Sequence, residues 1–499
     1  MAKLSAKPSA ELAAKASADL NAELIPCPLR NQRLQHPNEI ALVLADGTDV
    51  SYQKLDHWVT QYCQQLAESG LTKGDRLAWI GPNTPELIVA ILSSMRSGIA
   101  VIPINYRLPE SVQQKMLKTI SPIATWVDEQ AKVERRSASK LSAQLAMPIQ
   151  VPKLKTDVPM DSATTHPIMV NSKQPINMLF TSGSSGNPKA VVHCLTNHLT
   201  SANASQQNIP LKPGDRWLLS LPLFHIGGMA ILYRCLNAGA TLVLPDNEQG
   251  TQPSTDGLSQ RGISHLSLVN TQLYRLLKAQ PNKPTHLKYL LLGGSAIDDS
   301  LLEKAKAAGL HCFTSYGMTE MSSQICTGAA QGNNWVGQPL ACTELQLSEQ
   351  AELQVKGDNL ALGYYTHPTI KPLTDDNGWF NTGDLAEYAD GGYRITGRRD
   401  NRFVCGGENI QAEAIERCLL KHSEITHAVV VPAPDAEWGQ VPVAFTNAVS
   451  GTIRTKLIET VKDQLGALAV PRQWCELTTP TGIKPNRAAL QKIARTKIC

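Results

Sequence analysis

The chain has 499 residues, which at about 150 residues per domain predicts roughly three domain-sized units and ample apolar material for a core. Lysine and arginine (47) nearly balance aspartate and glutamate (43), so the net charge of +4 gives no support to a nucleic-acid-binding protein. Hydrophobic residues make up 42% and charged residues 18% of the chain, which excludes a disordered or fibrous protein.

The first 25 residues are rich in alanine, lysine and serine, and they contain no apolar run like that of a secretory signal peptide. We expect a surface helix or a frayed terminus there. The most apolar stretches further on, such as 87–95 and 226–236, are shorter than the roughly 20 residues of a membrane-spanning helix. The sequence therefore predicts a soluble cytoplasmic protein with no integral membrane segment.

From residue 41 onward, short apolar runs alternate with amphipathic stretches, a pattern typical of α/β layers with parallel strands. Residues 85–97 are predicted to form a helix that Gly98 ends. The polar, proline-containing stretch 134–173 is predicted to be a peripheral loop-rich segment. Strands are predicted at 77–80, 101–104, 217–221, 241–244, 266–269 and 289–292, and further helices at 271–279 and 300–308.

The alternating pattern restarts after the charged run at 397–401, Gly-Arg-Arg-Asp-Asn. The last 100 or so residues are enough to fold as a domain of their own, and the run before them is a candidate hinge. The elements predicted around and after it are a hairpin near 390–392, helices at 408–421 and 456–465, and strands at 427–432 and 441–446.

A loop crowded with hydroxyl side chains and glycines follows a strand end near residue 180. Glycine lets the backbone approach a ligand closely, hydroxyl and backbone N–H groups bind anions, and a lysine adds a point charge. The pattern predicts a phosphate-binding loop; a flexible Ser/Gly linker is the alternative, which the preceding strand and the Pro-Lys pair disfavour. The candidate phosphate-binding residues are Thr181, Ser182, Gly183, Ser184, Ser185, Gly186 and Lys189.

Other common sites have no support in the sequence. A Walker-type phosphate loop needs a Gly-Lys dipeptide, and this chain has none. The sequence also contains no G-x-G-x-x-G motif, so a dinucleotide-binding fold has no support. The 11 cysteines are scattered without a C-x-x-C spacing, so we expect reduced thiols in the core and no zinc site.

Residues 181–189 resemble the signature of the adenylate-forming superfamily, which includes acyl-CoA synthetases, luciferases and peptide-synthetase adenylation domains. Segments 315–320 (SYGMTE), 381–384 (NTGD), 397–400 (GRRD) and 482–484 (GIK) resemble the family's other motifs in the same order. The resemblance covers the chain from about residue 30 to the end. It implies an α/β fold with a large N-terminal adenylation domain of layered α/β subdomains (1–397), a hinge (398–401) and a small, mobile α+β C-terminal lid domain (402–499).

The resemblance also implies roles for individual residues. Glu320 and Thr181 would hold Mg²⁺, and Thr319 would contact phosphate. Lys484 would stabilise the charge that develops as a carboxylate attacks the α-phosphate, although Ile483 departs from the family's usual Gly-Lys. Each of these residues also has a common structural explanation. Thr319 and Glu320 could begin a helix, Asp384 could form a turn, and Lys484 could be a solvated surface charge. The other implied contacts are Gly293, Gly294, Ser315, Tyr316, Gly317, Asp384 and Arg398 for the nucleotide, Gly406 and Gly407 for CoA, and Asp400 as the hinge residue.

Within the superfamily, segments 222–234 and 405–410 and the Gly-Ile-Lys form resemble the o-succinylbenzoate–CoA ligases. That acid has a second, spectator carboxylate, which needs a cation or strong donors inside an apolar pocket. Arg234 lies in an otherwise apolar stretch, so we hypothesise that it binds the spectator carboxylate, with His225 or Ser322 and Ser323. Pairing with a structural acid is the alternative for Arg234. His225, which the resemblance makes a gate to the reacting carboxylate, could instead be a core histidine.

Taken together, the resemblance implies an AMP-forming acid–thiol ligase of menaquinone biosynthesis. It would use ATP, Mg²⁺ and coenzyme A to convert a small aromatic diacid to its CoA thioester through an acyl-adenylate. The alternatives are another aryl or fatty acyl-CoA ligase, a stand-alone adenylation enzyme that loads a carrier protein, and a non-catalytic protein that keeps the fold. The joint presence of Glu320, Asp384 and Lys484 disfavours the last. The oligomeric state is left open, with a homodimer among the alternatives.

Overall fold

The computed structural model describes residues 23–128, 166–182, 188–246, 254–279, 284–447, 451–477 and 486–497. Contacts divide them into two compact units. The N-terminal unit holds the described residues up to 182, then 188–344 and 356–378. The C-terminal unit holds 345–355 and the described residues from 379 onward.

The N-terminal unit has an α/β architecture, as predicted. Its helices are α1 (Pro28–Gln35), α2 (Tyr52–Glu68), α3 (Pro85–Ser97), α4 (Glu110–Ile120), α5 (Leu195–Ser205), α6 (Ile226–Ala238), α7 (Thr255–Gln260), α8 (Asn270–Ala279) and α9 (Asp299–Ala307). Its strands are β1 (Leu24–Pro26), β2 (Ile40–Val43), β3 (Asp49–Ser51), β4 (Arg76–Ile80), β5 (Ala100–Ile104), β6 (Ala124–Val127), β7 (Met169–Asn171), β8 (Pro175–Ser182), β9 (Pro188–Cys194), β10 (Arg216–Leu218), β11 (Thr241–Val243), β12 (His265–Leu268), β13 (Tyr289–Leu292), β14 (Cys312–Met318), β15 (Ser323–Ala329) and β16 (Trp335–Pro339).

Two sheets organise this unit. One has the order β20-β19-β9-β8-β5-β4-β6, where β19 is Gly363–Thr366 and β20 is Thr369–Lys371. The other runs β16-β15-β14-β13-β12-β10-β11-β2-β3. Strands β10 to β14 pair in parallel, and β14 pairs antiparallel with β15. The prediction of parallel strands is therefore right for the middle of this sheet, while its edges are antiparallel.

Helix α3 illustrates how local sequence sets an element. Thr84 caps its N-terminus by accepting a hydrogen bond from the Leu87 N–H at 3.2 Å, and Pro85 occupies the first turn. Gly98 ends the helix in the left-handed conformation, with φ of 69°. All residues from 87 to 95 are buried, so this helix lies in the core of the unit and its predicted bounds are confirmed.

The C-terminal unit contains two sheets, with the orders β17-β18-β21-β22 and β24-β23-β26-β25, the strand β27 pairing with β26. The β21–β22 hairpin turns at Asp390 and Gly391, both at positive φ, which confirms the predicted hairpin. The elements are β17 (Glu344–Leu347), β18 (Glu352–Lys356), β21 (Phe380–Ala389), β22 (Gly392–Arg398), β23 (Arg402–Cys405), β24 (Glu408–Gln411), α10 (Ala412–Leu420), β25 (Ala428–Asp435), β26 (Gly439–Thr446), α11 (Gly451–Leu465), β27 (Gln473–Glu476) and α12 (Arg487–Lys497).

Several predicted elements need correction. The helix predicted at 408–421 begins only at Ala412, because Gly406 and Gly407 have φ of 57° and 85° and turn the chain into the β23–β24 hairpin. The strand predicted at 217–221 is shorter and ends at Leu218. The stretch predicted to be loop-rich contains strand β7 in its described part; 134–165 and most of the first 25 residues lie outside the described residues.

The described cysteines are all free thiols, and most are buried, as expected. In the part of the chain that the structure describes, no helix is long and apolar enough to span a membrane. The cores of the two units are formed by separate groups of apolar side chains.

Candidate active site

The carboxyl ends of β13 and β14 carry the glycine pair and the serine that the sequence predicted to contact a nucleotide. A Cβ atom placed on Gly293 would lie 3.2 Å from the Ser315 carbonyl oxygen, so the two segments run in close contact. Gly294 has a φ of 84°, which favours glycine. Ligands bind at the carboxyl ends of parallel strands in open α/β sheets, and this edge has the expected position.

Strand β14 continues into a 3₁₀ turn over Thr319–Met321. A Cβ atom on Gly317 would lie 1.7 Å from the Ser323 carbonyl oxygen, so only glycine fits there. The carbonyl of Thr319 accepts a hydrogen bond from His193 Nε2 at 2.7 Å, and that of Glu320 accepts one from the Ala361 N–H at 2.8 Å. Backbone contacts on both sides therefore fix the turn that carries Thr319 and Glu320.

The side chain of Glu320 is half-buried. The Tyr364 hydroxyl donates a hydrogen bond to Glu320 Oε1 at 2.8 Å, and among the described residues Oε2 accepts none. No group of three or more His, Cys, Asp or Glu side chains in the described ranges could hold a metal by itself. This donor set fits Mg²⁺, which proteins bind through one or two carboxylates together with substrate phosphates.

The two ends of the predicted phosphate-binding loop face each other on neighbouring strands. Thr181 of β8 pairs in register with Lys189 of β9. The exposed Lys189 ammonium lies 4.8 Å from the centre of the Tyr364 ring. Residues 183–186, and the Ser182 side chain, lie outside the described residues, so their predicted contacts with phosphate stay predictions.

Arg234 lies in α6 and is only 4% exposed. Its guanidinium Nη2 donates to Gln324 Oε1 at 2.7 Å, with Ser323 Oγ at 3.4 Å. The Trp217 ring centre lies 5.4 Å from the guanidinium carbon. No aspartate or glutamate among the described residues pairs with Arg234, so the alternative of a structural acid has no support there. Burial lowers the pKa of Arg234 to about 10, which still leaves it charged at neutral pH.

Ser323, the first residue of β15, lies beside this guanidinium, and Ser322 precedes it at the end of the 3₁₀ turn. Both have positive φ, 51° and 110°, which is strained for a residue with a Cβ atom. Within the described ranges, the buried hydroxyl of Ser322 and the buried amide nitrogen of Gln324 have no hydrogen-bond partner. The structure thus brings Arg234 and Ser323 together, as predicted, and leaves two further polar groups available near them.

His225 precedes the first residue of α6, and its ring packs edge-on against Phe224, with centroids 4.8 Å apart. The residue is exposed to solvent, yet desolvation by the surrounding protein lowers the pKa of the His225 ring. It has no hydrogen bond to Arg234 in the described structure. The position is that of an accessible neutral imidazole at a helix N-terminus, where a positive charge is disfavoured.

A buried polar cluster behind this site was missed by the sequence analysis. His198 stacks on Tyr233 with centroids 4.2 Å apart, and its Nε2 lies 2.8 Å from Asn177 Nδ2. His193 lies 5.1 Å from His198, ring to ring. Desolvation lowers the pKa of His193 to about 4 and that of His198 well below 6.5, so both rings are neutral. A histidine inside the apolar run of β9 was the signal available in the sequence.

In the C-terminal unit, Asp384 and Arg398 face each other on neighbouring strands. Arg398 Nη1 donates to Asp384 Oδ1 at 2.9 Å and to the Thr382 carbonyl at 3.0 Å. A Cβ atom on Gly383 would lie 2.8 Å from Arg398 Nη2. The sequence placed Asp384 in a turn; it lies within β21, and the positive φ of Gly383 marks the irregularity that suggested a turn.

The predicted hinge forms a 3₁₀ turn over Arg399–Asn401. Arg399 pairs with Glu352 at 2.6 Å, and the carboxylate of Asp400 lies 3.8 Å from Arg398. The boundary between the two compact units lies near residue 379, before this turn. Gly406 packs against Trp438, whereas a Cβ atom on Gly407 would meet nothing within 4 Å. Lys484 lies outside the described residues.

Comparison with known proteins gives matches along most of the chain. The AMP-binding enzyme family matches residues 29–365, and the AMP-binding enzyme C-terminal domain matches residues 414–479. The 2-succinylbenzoate–CoA ligases of Salmonella typhimurium and Escherichia coli are 35% and 34% identical to it over 470 residues, 93% of this chain and 97% of each relative.

Solved structures give the same result. The Bacillus subtilis o-succinylbenzoate CoA synthetase in complex with the acyl-adenylate intermediate OSB-AMP has a TM-score of 0.83 at 27% identity, covering 94% of this chain and 98% of that chain. The same synthetase in complex with ATP and magnesium ion has a TM-score of 0.82 at 26% identity, covering 94% of this chain and all of that chain.

Proposed function

The chain belongs to the AMP-binding enzyme family, and from that membership we propose that it is an AMP-forming 2-succinylbenzoate–CoA ligase of menaquinone biosynthesis. Its substrates are ATP, the aromatic diacid 2-succinylbenzoate and coenzyme A, with Mg²⁺ as cofactor. The similarity to named 2-succinylbenzoate–CoA ligases over nearly their whole length supports this proposal, as does the similarity to a synthetase in complex with OSB-AMP.

The single observation that carries the choice of acid is the buried guanidinium of Arg234. A buried charge is costly unless it is paired, and arginine is rarely buried without an acid. Here the described partners are a neutral amide and a neutral hydroxyl. A substrate with a spectator carboxylate supplies the missing counter-charge.

Two neighbouring polar groups support the same assignment. The Gln324 amide nitrogen can only donate hydrogen bonds, and it is buried with no acceptor among the described residues. The Ser322 hydroxyl is also buried, and no partner for it lies in the part of the chain that the structure describes. A carboxylate only accepts hydrogen bonds, so the succinyl carboxylate of the diacid would satisfy the guanidinium, the amide and the hydroxyl together.

The decisive experiment is a coupled assay of wild type and Arg234→Ala with ATP, CoA, 2-succinylbenzoate, benzoate and a fatty acid. Loss of a charge-assisted contact of about 3 kcal/mol would raise the KM for the diacid roughly 100-fold. The KM for ATP should stay within about twofold.

Arg216→Ala is the matched control. Arg216 lies in β10 of the N-terminal unit, and its guanidinium donates to the Arg261 carbonyl. Equal effects of Arg234→Ala on both KM values would exclude the anchoring role. A wild-type preference for monocarboxylic acids would overturn the choice of 2-succinylbenzoate.

In the first half-reaction, the carboxylate oxygen of the acid attacks the α-phosphate of ATP, and pyrophosphate leaves. We assign Lys189 to the phosphates, Thr319 to the reacting phosphoryl group, and Lys484 to the charge that develops on the attacking oxygen. His225, neutral and open to solvent, would gate access of the reacting carboxylate. Mg²⁺, held by Glu320 with Thr181, would neutralise phosphate charge.

In the second half-reaction, the CoA thiolate attacks the acyl carbon of the acyl-adenylate, and AMP leaves. We propose that the C-terminal domain, from residue 402, rotates about Asp400 between the two steps, so that Lys484 withdraws and the Gly406-Gly407 turn meets CoA. The exposed Gly407 position, where no neighbouring atom would contact a side chain, supports a backbone surface for the pantetheine arm.

The hinge is tested with Asp400→Pro, which restricts the backbone torsion of that residue. Thioester formation should slow at least tenfold, while ATP–pyrophosphate exchange driven by the diacid continues. Loss of exchange with an intact thioester step would contradict the hinge.

The same pair of assays separates a ligase from an adenylation enzyme that loads a carrier protein, because the latter exchanges pyrophosphate without making a CoA product. A cytoplasmic location is part of the proposal, because the reaction needs ATP and CoA. A homodimer stays a prediction that light scattering would check.

A further inference from the structure

Tyr364 lies between two groups to which the proposed function gives separate tasks. Its hydroxyl donates to Glu320 Oε1 at 2.8 Å, and its ring centre lies 4.8 Å from the Lys189 ammonium. We propose that Tyr364 is a positioning residue, which orients the Glu320 carboxylate for Mg²⁺ and keeps it apart from Lys189. The proposal rests on the proposed function, because that function makes Glu320 the metal ligand.

The strand that carries Tyr364 is itself well fixed. Strand β19 pairs antiparallel with β9, with Gly363 opposite Val192 and Tyr364 opposite Val191. Strand β9 is the strand on which Lys189 lies. Because both groups stand on paired strands of one sheet, the tyrosine ring has a defined place relative to the lysine.

The main chain of the Glu320 turn is held independently of Tyr364. His193 donates to the Thr319 carbonyl, and the Ala361 N–H donates to the Glu320 carbonyl. The glutamate side chain still has three rotatable bonds, and neither of these contacts restricts them. The phenol hydrogen bond is the described contact that does, and it occupies Oε1 while leaving Oε2 open. Outer contacts of this kind, which orient a ligating carboxylate, commonly change metal affinity by about 10- to 100-fold.

The ring has a second consequence. A lysine and a glutamate close together would form an ion pair, and each would lose the charge that it offers to the substrate. No ion pair joins Lys189 and Glu320 in the described part of the chain. The Lys189 ammonium lies instead over the face of the Tyr364 ring, where the attraction is weaker than in an ion pair at the same site and is easily exchanged for a phosphate.

The test is a titration with Mn²⁺, followed by electron paramagnetic resonance, of the full-length protein saturated with the analogue α,β-methylene-ATP. Tyr364→Phe keeps the ring and removes the hydroxyl, so Mn²⁺ should bind about tenfold more weakly. Tyr364→Leu also removes the ring and should weaken Mn²⁺ binding further. The KM for the diacid should stay within about twofold in both variants.

Tyr365→Phe is the matched control, because Tyr365 follows Tyr364 on the same strand. Its hydroxyl shares a hydrogen bond with His367 Nδ1, and no described hydrogen bond joins it to Glu320. It should leave Mn²⁺ affinity within about twofold while matching any loss of thermal stability. Glu320→Gln should weaken Mn²⁺ binding more than any tyrosine variant.

Mn²⁺ affinity in Tyr364→Phe within twofold of wild type, with Glu320→Gln impaired, would overturn the role of Tyr364 and leave the proposed function standing. Equal losses in the phenylalanine and leucine variants would overturn the separating role of the ring. An unchanged Glu320→Gln would overturn the metal site itself, and the role of Tyr364 with it.

Discussion

Two regions of the N-terminal unit bury arginine side chains, and they do so in opposite ways. In the first, the fully buried carboxylate of Asp56 binds three guanidinium groups, those of Arg30, Arg33 and Arg96. The distances are 3.0 Å to Arg30 and 2.9 Å to Arg33. In the second, Arg234 is buried to a similar degree and meets only neutral groups among the described residues.

The difference separates structural from functional burial of a charge. Around Asp56 one carboxylate of the protein partly compensates three guanidinium charges, and the cluster joins α1, α2 and α3. At Arg234 no anion among the described residues pairs with the cation, an arrangement that costs folding free energy unless a ligand later supplies the charge. Burial alone would not distinguish the two arginine sites; the presence of a carboxylate does.

The largest effect is expected at the compensated cluster. Asp56→Asn keeps the shape of the side chain but removes the carboxylate that three buried guanidinium groups share, so the free energy of unfolding should fall by about 3–5 kcal/mol. Urea denaturation measures the loss. Asp390→Asn is the control, because this aspartate is 67% exposed in its pair with Arg394, and its loss should cost at most about 1 kcal/mol. A small loss for Asp56→Asn would show that the cluster is not structural.

His193 represents a third way to bury a basic group, which is to keep it neutral. Its folded-state pKa of about 4 lies below the ordinary 6.5, so the unfolded chain takes up a proton first as the pH falls. Stability should be level above pH 6.5 and decline between pH 6.5 and 4, by about 3 kcal/mol for a shift of this size. The pKa of His198, which packs against His193, is lowered by burial as well.

The measurement is the free energy of unfolding as a function of pH in wild type and His193→Gln. Glutamine can still donate to the Thr319 carbonyl but does not ionise, so the decline between pH 6.5 and 4 should be smaller. His286→Gln, at an exposed position, should leave the profile as it is. A profile that His193→Gln does not change would place the acid sensitivity elsewhere.

The smallest change in stability is expected at the uncompensated site. Arg234→Met exchanges a desolvated cation for an apolar chain of similar length, so the free energy of unfolding should stay within about 1 kcal/mol of wild type. Saturating 2-succinylbenzoate at 100 times its dissociation constant should stabilise wild type by about 2.7 kcal/mol and the variant hardly at all. A loss as large as that of Asp56→Asn, without any change in ligand stabilisation, would remove the distinction between the two sites.

Features that depend on neighbouring residues in the sequence were predictable. Helix α3 was placed correctly because Pro85 and Gly98 mark its two ends locally. The helix at 408–421 was placed too early because Gly406 and Gly407 have positive φ, which turns the chain into a hairpin before the helix begins. Apolar spacing alone could not distinguish that short strand from a first helical turn.

The site was predictable to the extent that its residues lie in motifs. Arg234 stood out as a charge in an apolar stretch, and the structure places it beside Ser323. Tyr364 had no such signal, and a histidine in the apolar run of β9 did not reveal the partner of His193. Each acts on a residue more than 40 positions away, Tyr364 on Glu320 and His193 on Thr319. Contacts of this kind depend on strand pairing, which a single sequence does not reveal.

The close approach of Gly317 to Ser323 has a consequence for how this enzyme can change its preferred acid. One close backbone contact ties Gly317, in the segment that we propose binds the nucleotide, to Ser323, which hydrogen-bonds Arg234. Any substitution that shifts Ser322 or Ser323 to fit another acid must also displace the turn that carries Thr319 and Glu320. Position 234 of helix α6 is joined to this segment only through side chains among the described residues, so in laboratory evolution new acid specificities should accumulate on that helix, while the serine pair stays as it is.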